Sequence, residues 1–202
     1  MSDVHEHHDH HEHHDHGHEH RLSYEDAVAA FRADKDEFFR TSPHSPLPEA
    51  DRDGFAGLPY YAVEPSLVFD DLLLEPYTGE EPVRFEIPTS DGRTRPAERA
   101  GIFRFQLDGK EQTLTAYTFE GGSNESVFVP FVDATSGDET YGAGRYLDID
   151  RDEDGTYSLD FNLAYHPSCV YDESYSCPLT PPENRLSIPI RAGERLAEAA
   201  SP

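Results

Sequence analysis

Tryptophan is absent from this 202-residue chain, methionine occurs once and cysteine twice, and lysine is confined to Lys35 and Lys110, so arginine supplies nearly all of the 16 basic side chains. Two cysteines are too few for a disulfide-stapled secreted scaffold. No run of about 18 apolar residues is present, which excludes a spanning helix. The first 20 residues carry neither a basic stretch nor an apolar one, so a secretory signal is not expected and the chain reads as cytoplasmic. Hydrophobic residues make up 36% and aromatics 11%, enough for a modest core in one domain with a tail.

What is abundant is negative charge. Forty-one acids against 16 bases give a formal charge of −25. The first 20 residues hold six acids and no Lys or Arg, so the remainder still carries 35 acids against 16 bases, or −19. Such a surface repels phosphate backbones and anionic lipid, so neither nucleic acid nor membrane is an expected partner. A high-salt interior would screen the self-repulsion, and the chain reads as halophilic. An acidic protein of an ordinary cytoplasm is the alternative.

Residues 5 to 20 are five triplets of histidine, acid and histidine, with Gly17 before the last. The ten imidazoles are His5, His7, His8, His10, His11, His13, His14, His16, His18 and His20. Imidazole binds Zn(II), Ni(II), Cu(II) and Co(II), and the interleaved carboxylates supply oxygen ligands or orient the rings. With no apolar residue in the stretch, the expectation for residues 1–21 is a tail disordered until metal cross-links it. An affinity tag is a plain histidine run, which this is not. A pH-responsive segment and a solubilising tail remain open as alternatives.

In the body, Ser23 followed by Asp26 opens a helix over 23–40, with Tyr24, Val28, Phe31, Phe38 and Phe39 at helical spacing, a stripe interrupted at Lys35. The prolines of SPHSPLPEA end it. Thereafter short Val, Ile, Phe, Tyr and Leu blocks alternate with Gly, Pro and Asp, predicting strands at 60–63, 67–74, 83–87, 101–107, 112–119, 127–131, 145–149, 157–161 and 186–190. Asp108-Gly109 between two alternating blocks marks a hairpin. The expected fold is mostly β, a single-domain sandwich or small barrel over residues 22–195, with the strands between 58 and 191 and one N-terminal amphipathic helix.

Three segments bear chemistry. Asp150, Asp152, Asp154 and Gly155 imitate the opening of a calcium loop, but Phe161 stands where the bidentate Glu belongs and the flanks read as strands, so an acidic hairpin turn is expected. Residues 133–149 place Asp133, Thr135, Ser136, Glu139, Tyr141 and Arg145 around Gly137, Gly142 and Gly144, either lining a pocket or satisfying one another. Without a Lys-Ser/Thr end it is not a P-loop. Residues 160–186 hold Cys169 and Cys177 with His166 nearby. Seven residues between the cysteines is wide for a zinc knuckle, and structural thiols, a disulfide, metal ligands and a nucleophile all remain open.

The stretches VFVPFVDATSGDETYGAGRYLDI and LDFNLAYHPSCVYDESYSCPLTPPENRL resemble the signature segments of the family called domain of unknown function 1684. DEFFRTSPHSPLP and GLPYYAVEPSLVF are similar to its N-terminal helix and first strands. The resemblance runs from Tyr24 to Arg191 and leaves out the tail. It departs at His166, where the family's tyrosine, asparagine, proline run has asparagine. It implies a mostly-β domain without an assigned activity, and it matches Asp133, Ser136, Glu139, Tyr141, Gly144, Arg145, Tyr146, Asn162, Tyr165, Cys169, Tyr171, Cys177, Glu183 and Asn184 to family positions.

The resulting expectation is a binding module for a small polar or anionic ligand. Arg145 would anchor the anion, Asp133 or Glu139 would orient it or act as base, and Tyr141 and Tyr165 would form walls; Ser136, Asn162, Cys169, Cys177, Glu183 and Asn184 complete the candidate site. The His-rich arm would bind divalent metal ions. An enzyme using the same Tyr, Arg, Glu and Cys groups, and a structural or partner-binding protein, are the alternatives. The Debye length shrinks from about 8 Å in 0.15 M salt to about 3 Å in 1 M. The melting temperature is therefore expected to rise by about 10 °C or more between 0.15 M and 2 M KCl. Full stability in low salt would instead mark an ordinary acidic protein.

Overall fold

The computed structural model describes residues 22–121 and 125–197. The His-rich segment lies outside them, and so do the expectations placed on it.

Helix α1 spans Tyr24–Thr41. Ser23 caps it by accepting the Asp26 backbone N–H at 3.1 Å, and Glu25 and Asp26 sit in the first turn where the helix dipole favours negative charge. Pro43, Pro46 and Pro48 follow its end and forbid continuation. Its apolar stripe is narrower than the sequence spacing implied: Val28 and Phe39 are buried, whereas Phe31 and Phe38 remain 43% and 44% exposed. A four-residue helix, α2 (Glu49–Arg52), comes next.

Seven strands follow: β1 (Val68–Leu72), β2 (Arg84–Pro88), β3 (Thr94–Leu107), β4 (Lys110–Phe119), β5 (Ser126–Phe131), β6 (Arg145–Asp150) and β7 (Tyr157–Asp160). They form an antiparallel five-stranded sheet, ordered β2-β3-β4-β5-β6, and a two-stranded sheet of β1 and β7. The fold is thus mostly β with one main helix, and its sheets are open instead of closing into a barrel. Single bridges link the two sheets, Glu75 to Ile102 and Arg151 to Tyr157.

Two expected strands are absent. Residues 60–63 make one bridge, Tyr60 to Glu194, and residues 186–190, bent at 187–188, bond the segment just after β5, with Leu186 donating to the Val132 carbonyl and Ala134 donating to the Ile188 carbonyl. The 157–161 block ends one residue early, because Phe161 begins a single 3-10 turn capped by Asp160. β3 is twice the expected length, since its polar first half pairs with β2 and carried no alternating apolar signal. The Asp108-Gly109 turn is a two-residue hairpin with φ of +52° and +70°. The acidic 150–155 segment is likewise the turn between β6 and β7, with the Asp154 carboxylate accepting from Thr156.

Strand alternation buries both faces of the larger sheet. One face presents Phe103, Phe105, Leu114, Ala116, Val127, Val129, Phe131, Leu147 and Ile149 to the β1–β7 pair and to Phe161, Leu186, Ile190 and Ala192. Phe161 sits at its centre, with ring contacts to Phe69, Phe105 and Phe131. The opposite face presents Tyr117, Phe128 and Tyr146, covered by Tyr165, Cys169 and Cys177. Residues after Asp160 contribute no described strand and act as a strap over the sheet.

Gly144, immediately before β6, has φ of +103°, and a side-chain carbon there would lie 2.3 Å from the Phe131 carbonyl oxygen. Gly144→Ala is expected to cost about 3 kcal/mol or more, read as a shifted urea midpoint with an unchanged slope.

Candidate functional site

β5 ends at Phe131 and β6 begins at Arg145, and the loop between them folds on itself. The Asp133 N–H donates to Ser136 Oγ at 3.1 Å, the Asp133 carboxylate accepts from Thr135 N at 2.6 Å, and the Thr135 and Thr140 hydroxyls meet at 3.0 Å. At its base Arg145 is completely buried. Its Nη2 donates to Asp133 Oδ2 at 2.8 Å and to the Ile190 carbonyl at 2.6 Å, and its Nη1 donates to the carbonyls of Glu194, at 3.0 Å, and Ala192. The four terminal N–H groups thus meet one carboxylate and three carbonyls of the C-terminal strap. Removing either partner of such an ion pair leaves a buried charge unmatched, at a cost of about 3–5 kcal/mol.

Glu194 anchors the strap a second time. It is 1% exposed, and its carboxylate lies 2.5 Å from Lys35 Nζ of α1. It also accepts from the Tyr171 hydroxyl at 2.9 Å and from the His166 backbone N–H at 2.7 Å. Lys35 lies over the Tyr165 ring as well, 4.6 Å from its centre. Lys35, the break in the helix's apolar stripe, is therefore the residue that ties the helix to the strap. Nothing in the sequence distinguished it from a solvated lysine, and Glu194 gave no signal at all.

The remaining candidates divide into separate groups. Glu139 sits at the surface, where Arg191 grips it bidentately at 2.6 and 2.9 Å and the Tyr61 hydroxyl donates at 2.9 Å. Arg191 holds its carboxyl below the usual range, while burial and that carboxylate push Tyr61 up to about 12. Asn162 is buried with its amide exchanging two bonds with the Glu64 backbone, at 2.7 and 3.0 Å. Asn184 does similar work in the sheet. β4 and β5 share only the Tyr117–Phe128 pairing, and the Asn184 amide fills the gap by bonding Thr115 N, Thr115 O and the Pro130 carbonyl, each at 2.7 Å. Glu183 accepts from Arg99 at 2.8 Å and from the Tyr117 hydroxyl at 3.0 Å. Tyr165 donates to Asp148 at 2.5 Å.

Tyr141, His166, Cys169 and Cys177 form the last group. The Tyr141 hydroxyl bonds Cys169 and the Cys169 N–H donates to Cys177 Sγ at 3.3 Å. His166 Nε2 accepts the Tyr141 backbone N–H at 3.3 Å, so the neutral ring carries its proton on Nδ1, 3.6 Å from Glu194. Burial, then the charges of Arg145 and Lys35, push His166 down to about 3. Burial likewise raises the phenols of Tyr117, Tyr146, Tyr165 and Tyr171, which stay protonated donors.

A separate concavity lies on the larger sheet where β2, β3 and β4 run past the core. This open groove of about 680 Å³ is lined by Arg84, Glu86, Pro96, Glu98, Thr118 and Glu120, among others. Arg84 is paired with Glu98 at 3.0 Å. None of these residues was a candidate from the sequence, and Pro96, Glu98 and Glu120 lay outside every expected strand. Among the described residues no group of three or more His, Cys, Asp or Glu side chains is placed to hold a metal ion, and no helix is long and apolar enough to cross a membrane.

A family model described as "Protein of unknown function (DUF1684)" matches residues 53–195. The chain belongs to this family. Among solved structures, the DUF1684 chain is similar to an uncharacterized protein from gene locus rrnAC0354 of Haloarcula marismortui, solved by solution NMR. The two share 37% identity and a TM-score of 0.63, over 86% of this chain and 94% of that one. No curated protein matches the chain.

His166 gives this DUF1684 chain a measurable pH signature. Its folded-state value lies below the unfolded one near 6.5, so the unfolded chain binds the extra proton. Stability from this source is complete above about pH 6.5 and is lost as pH falls toward about 3, by up to about 1.4 kcal/mol per unit. Urea titrations between pH 6.5 and 4.5 are expected to show a loss of about 2 kcal/mol that His166→Asn largely removes. An equal slope in the variant would assign the acid lability to other groups.

Proposed function

We propose that this DUF1684 chain is a binding module for a small polar ligand carrying positive charge, seated in the β2–β3–β4 groove. The observation that carries the reading is the groove itself. Its volume of about 680 Å³ falls in the range of small-molecule sites, and most of its lining comes from paired strands, with Glu120 and Gly121 added from the turn after β4. Glu86, Glu98 and Glu120 outnumber Arg84 along it, so its field favours a cation.

An anion held by Arg145 would have to displace a carboxylate and three carbonyls from a guanidinium with no exposed surface. The polar groups of the two signature loops are better read as the pins that hold the strap. Cys169 acting as a nucleophile with His166 as base is disfavoured as well, since His166 Nε2 is occupied and the ring is a very weak base.

The His-rich arm adds a second activity in this reading, the capture of divalent transition metals by interchangeable imidazole and carboxylate ligands. The charge of −19 outside the arm is consistent with work in a high-salt cytoplasm.

Two measurements test these readings. Diamines and guanidinium compounds, titrated into labelled protein, are expected to shift amide signals of residues 84–86, 96–98 and 118–120. The double change Glu98→Gln and Glu120→Gln is expected to weaken binding about tenfold or more, near 1.4 kcal/mol. Signals that stay fixed for every cation, or that move equally in the variant, would remove the groove as a site. Zn(II) or Ni(II) titration should give several weak sites on the full chain and none on a full-length variant with the ten tail histidines changed to alanine. Equal stoichiometry and affinity in the two proteins would sink the metal reading.

A further inference from the structure

The Cys169–Cys177 pair has no part in the proposed binding function, and its surroundings are unlike those of two inert core thiols. Cys169 lies in the single 3-10 turn Ser168–Val170 and is half-buried, while Cys177 is buried. The Cys169 backbone N–H donates to Cys177 Sγ at 3.3 Å, and the two side chains lie close enough to interact. Both pack on Tyr117, Phe128 and Tyr146 on the second face of the sheet. The sulfurs thus meet on a rigid platform.

The backbone on the Cys177 side is fixed independently. Its N–H donates to Ser90 Oγ at 3.1 Å, its carbonyl accepts the Ser90 N–H at 2.8 Å, and Leu179 donates to the Pro88 carbonyl at 2.8 Å. Pro178 bridges to Thr89, and its carbonyl accepts from the Tyr146 hydroxyl. Cys177 is in effect an extension of the β2 edge. Cys169 belongs to the part of the strap that His166 and Tyr171 tie to Glu194 and α1.

From this arrangement we propose that Cys169 and Cys177 form a reversible dithiol–disulfide switch that clasps the strap to the β2 edge when oxidised. The oxidant is a small-molecule disulfide. The more exposed Cys169, as thiolate, attacks one of its sulfurs, forming a mixed disulfide and expelling one small thiolate. Cys177 then gives up its proton to solvent and attacks Cys169 Sγ, expelling the second thiolate. Two protein thiols lose two electrons and one small disulfide gains them as two small thiols. Burial of Cys177, which raises its pKa to about 11, orders the sequence of attack by leaving Cys169 the first to react.

The short loop joining the cysteines is restrained in the unfolded chain once the bond forms, so the oxidised protein is more stable. Incubating the full native chain with oxidised glutathione is expected to remove both thiols together, lower the intact mass by two hydrogens and leave no glutathione attached. The melting temperature is expected to rise by about 5–10 °C. Dithiothreitol should restore both thiols without unfolding. Cys177→Ser should stop at one glutathione per chain, on Cys169, and Cys169→Ser should stay unmodified. Thiols that remain free, glutathione retained by the unaltered chain, disulfides between chains, or a bond reducible only in denaturant would each overturn the proposal.

Discussion

A guanidinium taken wholly out of water needs acceptors for its N–H groups, and the four terminal N–H groups of Arg145, though not its Nε–H, receive them from parts of the chain far apart in sequence. Asp133 supplies charge from the loop after β5, and the carbonyls of Ile190, Ala192 and Glu194 come from the C-terminal strap. Arg145 itself begins β6. The loop, the sheet and the strap are therefore fixed by one side chain, and none of the three can shift without exposing an unmatched charge. Ile190 and Ala192 are in turn set into the main core, so the polar anchor and the apolar packing at that end of the molecule constrain each other.

The same logic is repeated at smaller scale around the strap. Lys35 and Glu194 tie it to the helix, Asn184 completes the gap between β4 and β5, and Asn162 joins the turn after β7 to the segment before β1. Each is a buried polar group matched by specific partners, the arrangement in which a low dielectric strengthens hydrogen bonds and makes any missing partner costly. The charged and hydroxylated residues of the two signature loops accordingly fall into separate groups, each paired within the fold. A concavity open to solvent lies apart from them, where the first strands of the sheet run past the core.

The mostly-β architecture was legible because alternation of apolar and polar residues is a local property, and it marked β4, β5 and β6 closely. Asp108-Gly109 was legible for the same reason, since positive φ at both positions is a local demand. The first half of β3 was not, because its outward residues are polar and its pairing with β2 leaves no periodic trace. At the candidate site, the sequence weighed two possibilities for Arg145, pairing with Asp133 or Glu139 inside its own loop or facing a pocket. It held no information on the three carbonyls, which are present at every residue and become acceptors only through geometry. Lys35 looked like an interruption of the helix face for the same reason: its partner is 159 residues away.

Composition and order alone determined a negatively charged, mostly-β chain with one capped helix, a histidine-rich arm and a resemblance carried by two polar segments. All of these follow from interactions between near neighbours or from sums over the chain. Only the tertiary structure decided that the polar segments turn inward, that the two thiols touch and that an acidic groove opens over β2, β3 and β4. Those outcomes depend on which distant groups share a low-dielectric space, and burial and partner choice are properties of the folded chain and not of any stretch of it.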